Sequence, residues 1–414
     1  MIESAEQPAA GNREMIQSQD EAATPTAVPS CRAELTGRDM LCFSHDWNGD
    51  PLSKTHLMRL LARKNRVLWI NSIGYRMPTV SKTDARRAFR KLAAAAQPIR
   101  EVEHNIFVAS PLVIPAYGNP LIRGLNRRLL RFQVKRAMSK LGFRRPINWV
   151  FNPAASVIAG TLGEEQLIYY CVDEYTAFSG VPAQSLMSLE EELARRANLV
   201  IVSAERLYQS KAALNQNTHL VRHGVDFDHF RKALDPACQI PAEIFRLPKP
   251  IIGYFGLIAA DWIDVALLVE VAKNFPLASL VMLGRSTMDV SALERLPNVH
   301  LLGRKPYESL PGYVKAFDVA LIPFPINEAT LNSNPLKARE YLASGLPVIS
   351  TAIPEVEVLG QCRIGVDPQS FCRQISEALT DPGPNLARSE TMRGESWLAR
   401  LAMIEELVAM ASQD

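Results

Sequence analysis

The sequence has 414 residues, of which 47% are hydrophobic and 21% are charged, so it can form a globular protein of two domains that each bury a core. Its formal net charge of +3 gives no general argument for binding nucleic acid. Six scattered cysteines without a C-x-x-C pair favour reduced thiols over a disulfide framework, and no apolar stretch reaches the ~18 residues of a membrane span or forms a secretion signal, so we expect a cytoplasmic protein.

The first half of the chain alternates strand and helix patterns. Residues 1–35 lack periodicity and are expected to form a disordered leader. Alternating strands and helices indicate a parallel sheet covered on both faces, here in a first domain over 36–228. The strands are expected at 40–43, 66–71, 106–109, 147–151, 167–172 and 199–202, and the helices include 187–197 and 204–215.

A polar connector over 229–250 leads to a second unit of the same kind, expected over 251–390. The strand "PIIGYFG" ends at Gly256, and the strand "SLVML" is followed by Gly284. The stretch "NVHLLGRKPYESLPGYVKAFDVALIPF" supplies two more strands around a loop and a helix. The apolar stretch "SWLARLAMIEELVAM" predicts a last helix within 391–414. The predicted fold class is α/β, with two doubly wound parallel sheets.

The segment Asn332–Thr351, "NSNPLKAREYLASGLPVIST", predicts a loop, a short helix and a buried strand. Asn334 is a good N-cap, and Pro335 would then occupy the first helical position. Gly345 is expected to end the helix in the left-handed conformation. This helix therefore begins and ends within one conspicuous motif.

The polar residues of this helix indicate a nucleotide site. Lys337 and Glu340 lie three residues apart and share one side of the helix. Backbone N–H groups around Ser333, Asn334 and Leu336, near the positive end of the helix dipole, suit a phosphate, and Lys337 adds charge. Glu340 suits the two hydroxyls of a ribose. The alternative is an exposed Lys–Glu pair on an ordinary helix.

The wider stretch "DVALIPFPINEATLNSNPLKAREYLASGLPVIS" resembles the sugar-nucleotide loop of GT-B glycosyltransferases, in the large group resembling family 4 (group 1). The family pattern places a Glu, seven residues and a second Glu before "A-x-G-x-P-V-I". Glu340 matches the second Glu, and Asn332 stands where the first would be. The form "N-P-x-K-x-x-E-Y-L-A-x-G-x-P-V" is similar to a subgroup that builds bacterial envelope polysaccharides. The stretch "RHGVDFDHF" resembles the family's hinge strand, with His223 in place of an Asn.

The resemblance implies a GT-B architecture, in which two Rossmann-like domains face each other across a cleft and the last helix crosses back to the first domain. It implies a glycosyltransferase that moves a sugar from a nucleotide-sugar donor, held mainly by the second domain, to a hydroxyl of a glycan or lipid-linked glycan acceptor in cell-envelope or exopolysaccharide biosynthesis. UDP is the expected nucleotide, and GDP is the next candidate. Transfer is expected to retain configuration, with neither a cofactor nor an obligatory metal ion.

Three further positions are expected to complete the donor site. Gly256 precedes a helix at a point where the backbone must approach a ligand closely. Many relatives carry an Arg and a Lys in the following stretch, which here is "LIAADWID" and contains no base. Arg285 directly follows a strand and is expected to supply charge, unless it is a surface arginine. Gly303 lies in a stretch that resembles the loop bracketing the nucleobase.

The candidates for chemistry follow strands of the first domain. His45 and Asp46 lie in the first strand-to-helix loop, and Asp173 ends the stretch "LIYYCVD". A carboxylate there can orient an acceptor hydroxyl or act as a base, although Asp173 is also a possible N-cap. Asp226 and Asp228 form a D-x-D, but they coincide with the hinge pattern, so we expect Asp226 to bond local backbone and not a metal ion.

Two basic stretches predict a partner surface. Residues 121–147 hold nine Lys or Arg and no acid, and residues 82–100 hold six bases against one acid. A basic amphipathic helix can lie on an anionic membrane. The alternative is a solvated helix face, and nucleic-acid binding is a weaker hypothesis because interleaved aromatic residues are lacking.

Two other functions stay open at this point. One is a sugar-nucleotide epimerase on the same fold, which would turn over its substrate without an acceptor. The other is a non-catalytic GT-B binding protein in a membrane-associated assembly, since the first Glu and the phosphate-binding bases of the family are missing.

Overall fold

The computed structural model describes residues 34–73, 97–114 and 119–412. Most of the predicted leader and of the basic stretch 82–100 lie outside these described residues. The ordered part of the chain forms two sheets, one of eight strands and one of six.

The first sheet contains the strands of the N-terminal half in the order β3-β4-β2-β1-β5-β6-β7-β8. All of its neighbouring strands pair in parallel except the hairpin of β3 and β4. The strands are β1 (Asp39–Phe43), β2 (Arg66–Ile70), β3 (Arg100–Glu103), β4 (Ile106–Ala109), β5 (Ile147–Val150), β6 (Gln166–Cys171), β7 (Leu199–Val202) and β8 (Thr218–Leu220).

The second sheet is parallel throughout, in the order β11-β10-β9-β12-β13-β14. Its strands are β9 (Ile251–Phe255), β10 (Ser279–Leu283), β11 (Val299–Gly303), β12 (Val319–Ile322), β13 (Val348–Thr351) and β14 (Arg363–Gly365). The predicted α/β class with two parallel-sheet domains is confirmed.

Helices connect the strands in both halves. In the first half they are α1 (Ser53–Leu61), α2 (Pro120–Leu141), α3 (Ala183–Arg196) and α4 (Glu205–Ala212). The predicted connector region holds α5 (Phe227–Arg231) and α6 (Ala242–Phe245). The second half has α7 (Val265–Asn274), α8 (Ser291–Glu294), α9 (Leu310–Ala316), α10 (Glu328–Leu331), α11 (Leu336–Ala343), α12 (Pro354–Leu359), α13 (Pro368–Ala378), α14 (Leu386–Glu390) and α15 (Trp397–Met410).

The first sheet is buried on both faces, as the strand sequences predict. Side chains alternate along β1, so that Leu41 and Phe43 join one hydrophobic cluster while Met40 and Cys42 join the cluster on the opposite face. A sheet covered on both sides leaves only its strand ends for polar function, because the faces carry almost continuous apolar residues.

The last helix, α15, packs on the first sheet. Leu401, Ile404 and Val408 lie in the same buried cluster as Met40 and Cys42. The chain reaches α15 beside the hinge strand, where Val225 donates to the Glu395 carbonyl at 2.9 Å and Trp397 donates back to the Val225 carbonyl at 3.1 Å. The two connections between the domains therefore run side by side and bond to each other.

Candidate functional site

Each sheet has a point where its strand order reverses, and ligands of doubly wound sheets bind at that point, beyond the carboxyl ends of the strands. In the second sheet the reversal falls between β9 and β12, and in the first it falls between β1 and β5. Contacts between the loops that follow the strands show that the carboxyl ends of the two sheets face each other. The Arg304 guanidinium, after β11, bonds the Asp50 carboxylate, after β1, at 2.9 Å from Nε.

Lys337 lies at the reversal point of the second sheet. Its ammonium sits over the rings of Tyr254 and Phe324, 5.6 and 5.8 Å from their centroids. Its side chain crosses Gly256, where an added Cβ would lie 2.6 Å from Nζ. Burial lowers the pKa of Lys337, and nearby Glu340 opposes that change. The motif helix therefore brings a desolvated cation directly against the glycine that ends β9.

Glu340 lies one turn further along α11 and is half-buried. Burial raises the pKa of its carboxyl to about 7, while Lys337 lowers it and Asp226 raises it further. A half-buried carboxylate gains from hydroxyl donors, and the cis-diol of a ribose supplies two. The sequence prediction that Lys337 and Glu340 share one side of a helix agrees with this geometry.

The predicted cap of this helix is wrong by one residue. Pro335 is the N-cap, and the helix starts at Leu336. Asn334 is buried and bridges the domains instead, since its amide donates to the Ser203 carbonyl at 2.7 Å and its oxygen accepts from Arg339 at 2.7 Å. Any contact of Asn334 with a nucleotide-sugar must therefore come from its backbone.

Glutamate 355 completes this bridge between the domains. The Glu355 carboxylate accepts from the backbone N–H of Glu205 at 2.7 Å, from Arg222 Nε at 2.7 Å and from the Asn334 amide at 3.2 Å. Ser333, beside Asn334, is also buried, and its hydroxyl donates to the Thr330 carbonyl at 2.8 Å. These side chains order the loop that precedes the motif helix, so its backbone is held in place.

Glycines line the carboxyl edge of the second sheet. Gly256 N–H donates to the Leu283 carbonyl at 2.8 Å, and Gly284 N–H donates to the Gly303 carbonyl at 2.9 Å. Gly256 has φ of +138° and Gly303 has φ of +70°, which are conformations that favour glycine. Arg285 is exposed and offers its carbonyl to the Ile258 N–H at 3.0 Å.

On the first-domain side, His45 and Asp46 lie in the loop after β1, as predicted. The His45 ring is wedged between the hydroxyls of Ser44 and Thr55, 3.1 and 3.4 Å away. Burial lowers its pKa to about 3, and the Lys54 charge lowers it further, so the ring is neutral at physiological pH. Asp46 is exposed and accepts from the Ser72 N–H at 3.0 Å, which ties two neighbouring loops together.

Asp173 follows β6 and is half-buried in the same wall. Burial raises the pKa of its carboxyl to about 6, with Lys54 opposing and Glu174 adding to the rise. Glu174 has a structural role, since it caps the next turn and accepts from Thr176. The alternative role of Asp173 as the cap of that turn is therefore wrong.

Lys54 is a residue that the sequence analysis did not single out. It lies in the first turn of α1, is only 9% exposed, and its ammonium is 6.0 Å from the centroid of the Phe151 ring. Its charge acts on Asp173, His45 and the buried His223. The signal in the sequence was a base at the start of a helix without any acid in that turn.

The Asp226-Phe-Asp228 triplet belongs to the hinge. Asp226 accepts a hydrogen bond from the Tyr307 hydroxyl at 3.2 Å, so the expectation of a bond to local backbone is wrong. Tyr307 in turn stacks on His229, with ring centroids 4.2 Å apart. Across the described residues, no group of three or more His, Cys, Asp or Glu is arranged to hold a metal ion.

The basic stretch 121–147 forms most of α2 and the turn after it. All nine of its Lys and Arg side chains are exposed, while Leu130, Val134, Ala137 and Met138 are buried against the first sheet. The outer face also exposes large apolar side chains, among them Leu121 at 83% and Phe132 at 65%. No helix in the described part of the chain is long and apolar enough to cross a membrane.

Comparison with known proteins agrees with the motif. Residues 249–381 match the family described as Glycosyl transferases group 1. A Bacillus subtilis (strain 168) protein named "Putative teichuronic acid biosynthesis glycosyltransferase TuaH" is 26% identical over 228 residues, which cover 50% of this chain and 55% of that protein. The match therefore spans only about half the length of this curated relative.

Solved structures of several glycosyltransferases share the fold across almost the whole chain. The sucrose-phosphate synthase of Thermosynechococcus elongatus is 16% identical, with a TM-score of 0.65 over 90% of this chain and 98% of that chain. Anabaena HepE, solved in complex with UDP-glucose, is 13% identical, with a TM-score of 0.61 over 90% and 99%. The trehalose 6-phosphate synthase of Burkholderia multivorans is 13% identical, with a TM-score of 0.62 over 91% and 100%. The expected GT-B architecture and the resemblance to group 1 enzymes are confirmed.

Proposed function

We propose that this protein, whose residues 249–381 are a Glycosyl transferases group 1 domain, is a glycosyltransferase that moves a sugar from a nucleotide-sugar donor to a hydroxyl of a glycan or lipid-linked glycan. One observation carries the proposal. Lys337 lies desolvated against Gly256 at the reversal point of the second sheet, with Glu340 one turn away. The cation and the closely approaching backbone suit the diphosphate of a nucleotide, and the acid suits its ribose.

The donor is expected to lie along the carboxyl edge of the second sheet. Glu340 accepts hydrogen bonds from the ribose hydroxyls, and Lys337 with the free N–H groups at the start of α11 binds the diphosphate. As the bond to the sugar breaks, negative charge grows on the departing diphosphate. The preorganised N–H groups and Lys337 stabilise that charge, which lowers the barrier. UDP is the proposed nucleotide, which the HepE complex with UDP-glucose supports.

The acceptor is expected to enter along the first domain. Asp173, with a pKa of about 6, is largely ionised at neutral pH and can accept a hydrogen bond from the attacking hydroxyl. His45 stays neutral and orients the loop around it. We propose a retained configuration and a role in envelope or exopolysaccharide biosynthesis, which the name of the Bacillus subtilis relative supports.

A thermal-shift panel with UDP, GDP, ADP and TDP tests the donor site. A ligand of the folded state stabilises it by RT ln(1 + [L]/Kd), so one nucleotide should raise the melting temperature. The rise should vanish in Glu340→Ala and persist in Glu357→Ala, which removes an exposed acid on the neighbouring α12. If no nucleotide shifts the wild type, the donor site is refuted and a non-catalytic binding protein is favoured.

Turnover separates the two enzyme hypotheses. A glycosyltransferase consumes the nucleotide-sugar and releases the nucleoside diphosphate only when an acceptor hydroxyl or water takes the sugar. An epimerase interconverts nucleotide-sugars with no acceptor. Chromatography of the nucleotide pool after incubation with UDP-sugars alone, and then with envelope glycan fractions, distinguishes the outcomes. A new UDP-sugar in the absence of acceptor would contradict the proposal.

The exposed face of α2 is proposed to rest on an anionic membrane. Exposed Leu121, Leu125 and Phe132 recur on one side of the helix, with bases flanking them. Each base near an anionic surface contributes about 1 kcal/mol, and the apolar side chains add burial in the interface. The proposed location is therefore the cytoplasmic side of the cell membrane, reached without a spanning helix.

Vesicle co-sedimentation tests this surface. The protein should bind vesicles that contain phosphatidylglycerol and should leave them when Arg128, Arg131 and Lys135 are changed to Glu. A matched change of the exposed Lys273 and Arg295 in the second domain should have no effect. Wild-type protein that fails to bind these vesicles at low salt would refute the membrane proposal.

A further inference from the structure

We propose that Lys54 and the start of α1 bind a phosphate group of a substrate, on the wall of the cleft that faces the Lys337 site. The inference rests on the proposed function only for the source of that phosphate. The group is either the diphosphate of the donor or a phosphate carried by the acceptor. The binding residues themselves all belong to the first domain.

Among the residues that the structure describes, Lys54 is a buried cation without a counter-ion. Only 9% of the Lys54 surface remains exposed. Within residues 34–73, 97–114 and 119–412, no carboxylate lies within 4.0 Å of its ammonium and no hydrogen-bond acceptor is in range. Burying an unpaired charge is costly, so such residues are normally paired with a counter-ion. An anion from outside the chain supplies the missing partner.

The helix that carries Lys54 adds to the positive potential. α1 starts with Leu52 as its N-cap, which accepts no side-chain capping bond, and its first turn contains no acid. The free N–H groups of a helix start and the positive end of its dipole favour an anion. A lysine at this end is unfavourable for the helix alone. It becomes favourable when both the helix start and the lysine bind one oxyanion.

The position of Lys54 in the sheet also points to a ligand. The lysine follows β1, and its ammonium lies 6.0 Å from the Phe151 ring, which follows β5. These two strands flank the reversal point of the first sheet. Asp173, after β6, lies close enough for the charge of Lys54 to lower its pKa, but the two side chains form no ion pair. An anion bound to Lys54 would supply the counter-ion that Asp173 does not.

The second domain supplies few positive charges for a diphosphate. Residues 257–264, "LIAADWID", follow Gly256 and contain no Lys or Arg. Lys337 is thus the cation that the second sheet places beside Gly256, and a diphosphate carries more than one negative charge. A lysine from the facing wall supplies further charge to either the donor or a phosphorylated acceptor.

Titration calorimetry of the full chain with inorganic phosphate, pyrophosphate and UDP tests the site. Wild type is compared with Lys54→Met, Lys337→Met, the double variant, and the control Lys64→Met, which changes an exposed lysine beyond the same helix. Loss of one charge-assisted contact should weaken anion binding about 10- to 100-fold. Lys64→Met should bind as wild type does.

The pattern identifies the source of the phosphate. If the donor diphosphate reaches Lys54, UDP and pyrophosphate bind more weakly to both single variants. If the acceptor carries the phosphate, Lys54→Met binds UDP as wild type does. Inorganic phosphate should then bind to wild type that is already saturated with UDP, and this phosphate binding should be lost in Lys54→Met. Unchanged binding of phosphate, pyrophosphate and UDP in Lys54→Met overturns the proposal.

A measurement on the wild type guards against misfolding of the variant. Acetic anhydride labels accessible lysines, and mass spectrometry reports the labelled fraction of Lys54 with and without pyrophosphate or phosphate. Protection of Lys54 but not of Lys64 is expected, and equal labelling with and without both anions would refute the site. A wild type that fails to bind UDP but shows this protection would refute the donor site and leave the Lys54 site standing.

Discussion

The reversal points of the two sheets both hold a lysine beside an aromatic ring, but the surroundings of the two lysines differ. Each places a desolvated lysine against an aromatic ring, Lys337 over Tyr254 and Lys54 near Phe151. In the second sheet the lysine and its acid, Glu340, come from one helix and face a glycine. In the first sheet the lysine and its acid come from separate elements, and Ser44, not a glycine, directly follows β1.

This difference indicates a division of labour. A glycine edge with a lysine and an acid on one helix suits a ligand of fixed shape that approaches the backbone, as a nucleotide does. A wall of side chains from several loops suits a ligand that varies between relatives, because each loop can change separately. We therefore expect changes at the second site to abolish donor use and changes at the first to alter acceptor use.

The largest expected effect is that of Lys337→Met. Loss of the cation that faces the departing diphosphate should reduce kcat about 10²- to 10³-fold, as for loss of one preorganised contact to developing charge. The measurement is the initial rate of UDP release from the donor. Lys273→Met, an exposed lysine on α7, should keep the wild-type rate. An unchanged rate in Lys337→Met would remove the basis for assigning the donor site to the second sheet.

Gly256→Ala should act on the same site through the backbone. A Cβ would lie 2.6 Å from Lys337 Nζ, and φ of +138° is strained for any other residue, so we expect about 1–3 kcal/mol of lost stability together with weaker donor binding. Chemical denaturation and UDP titration measure the two effects. Gly124→Ala, in the open face of α2, should be neutral or stabilising by up to about 1 kcal/mol. A fully stable Gly256→Ala with normal UDP affinity would show that the close approach is unimportant.

The acid of the first site should appear in the pH profile. If ionised Asp173 orients the acceptor hydroxyl, the rate should fall about tenfold per pH unit below its pKa of about 6, and Asp173→Asn should lack this limb. The sign for stability is opposite to that of a salt-bridged acid. Because burial raises the pKa from 3.8 to about 6, the protonated form is favoured in the folded state, and this contribution is lost as pH rises across that range. A low-pH limb that survives in Asp173→Asn would assign it to another group.

The smallest expected effect is at the mouth of the cleft. Arg304 and Asp50 join the two walls, but both side chains are more than half exposed. Asp50→Asn should therefore change the free energy of unfolding by less than about 1 kcal/mol. Urea denaturation at low and high salt measures it, and a larger loss would show that this ion pair determines how the domains are held together.

The sequence predicted what lies within one element and missed what depends on distant ones. Lys337 and Glu340 are three residues apart, so helical spacing alone predicts that they share a side. The cap at Asn334 was wrong because the Ser203 carbonyl, more than a hundred residues away, engages its side chain together with nearby Arg339. Asp226 likewise bonds Tyr307, 81 residues further along the chain, and not its own turn.

The burial of Lys54 depends in the same way on loops that follow other strands. A base in the first turn of a helix is visible in the sequence, but its lack of an ion pair with any described carboxylate is not. Arg285 stays a prediction, since its place after a strand predicted a base at the donor site and the exposure of its side chain does not test that role. The parallel sheets were predictable because their apolar strands alternate with helices, which is a local property of the chain.

The return of α15 to the first sheet has a consequence for biosynthesis. Leu401, Ile404 and Val408 complete the buried cluster that begins with Met40 and Cys42, so the first domain lacks part of its interior until residues 401–408 have been synthesised. Domains usually fold in the order of their synthesis. Here the second domain is the first whose buried core, which runs from Val225 to Met392, is supplied entirely by one contiguous stretch of nascent chain. The first domain, although synthesised first, completes its core after the second.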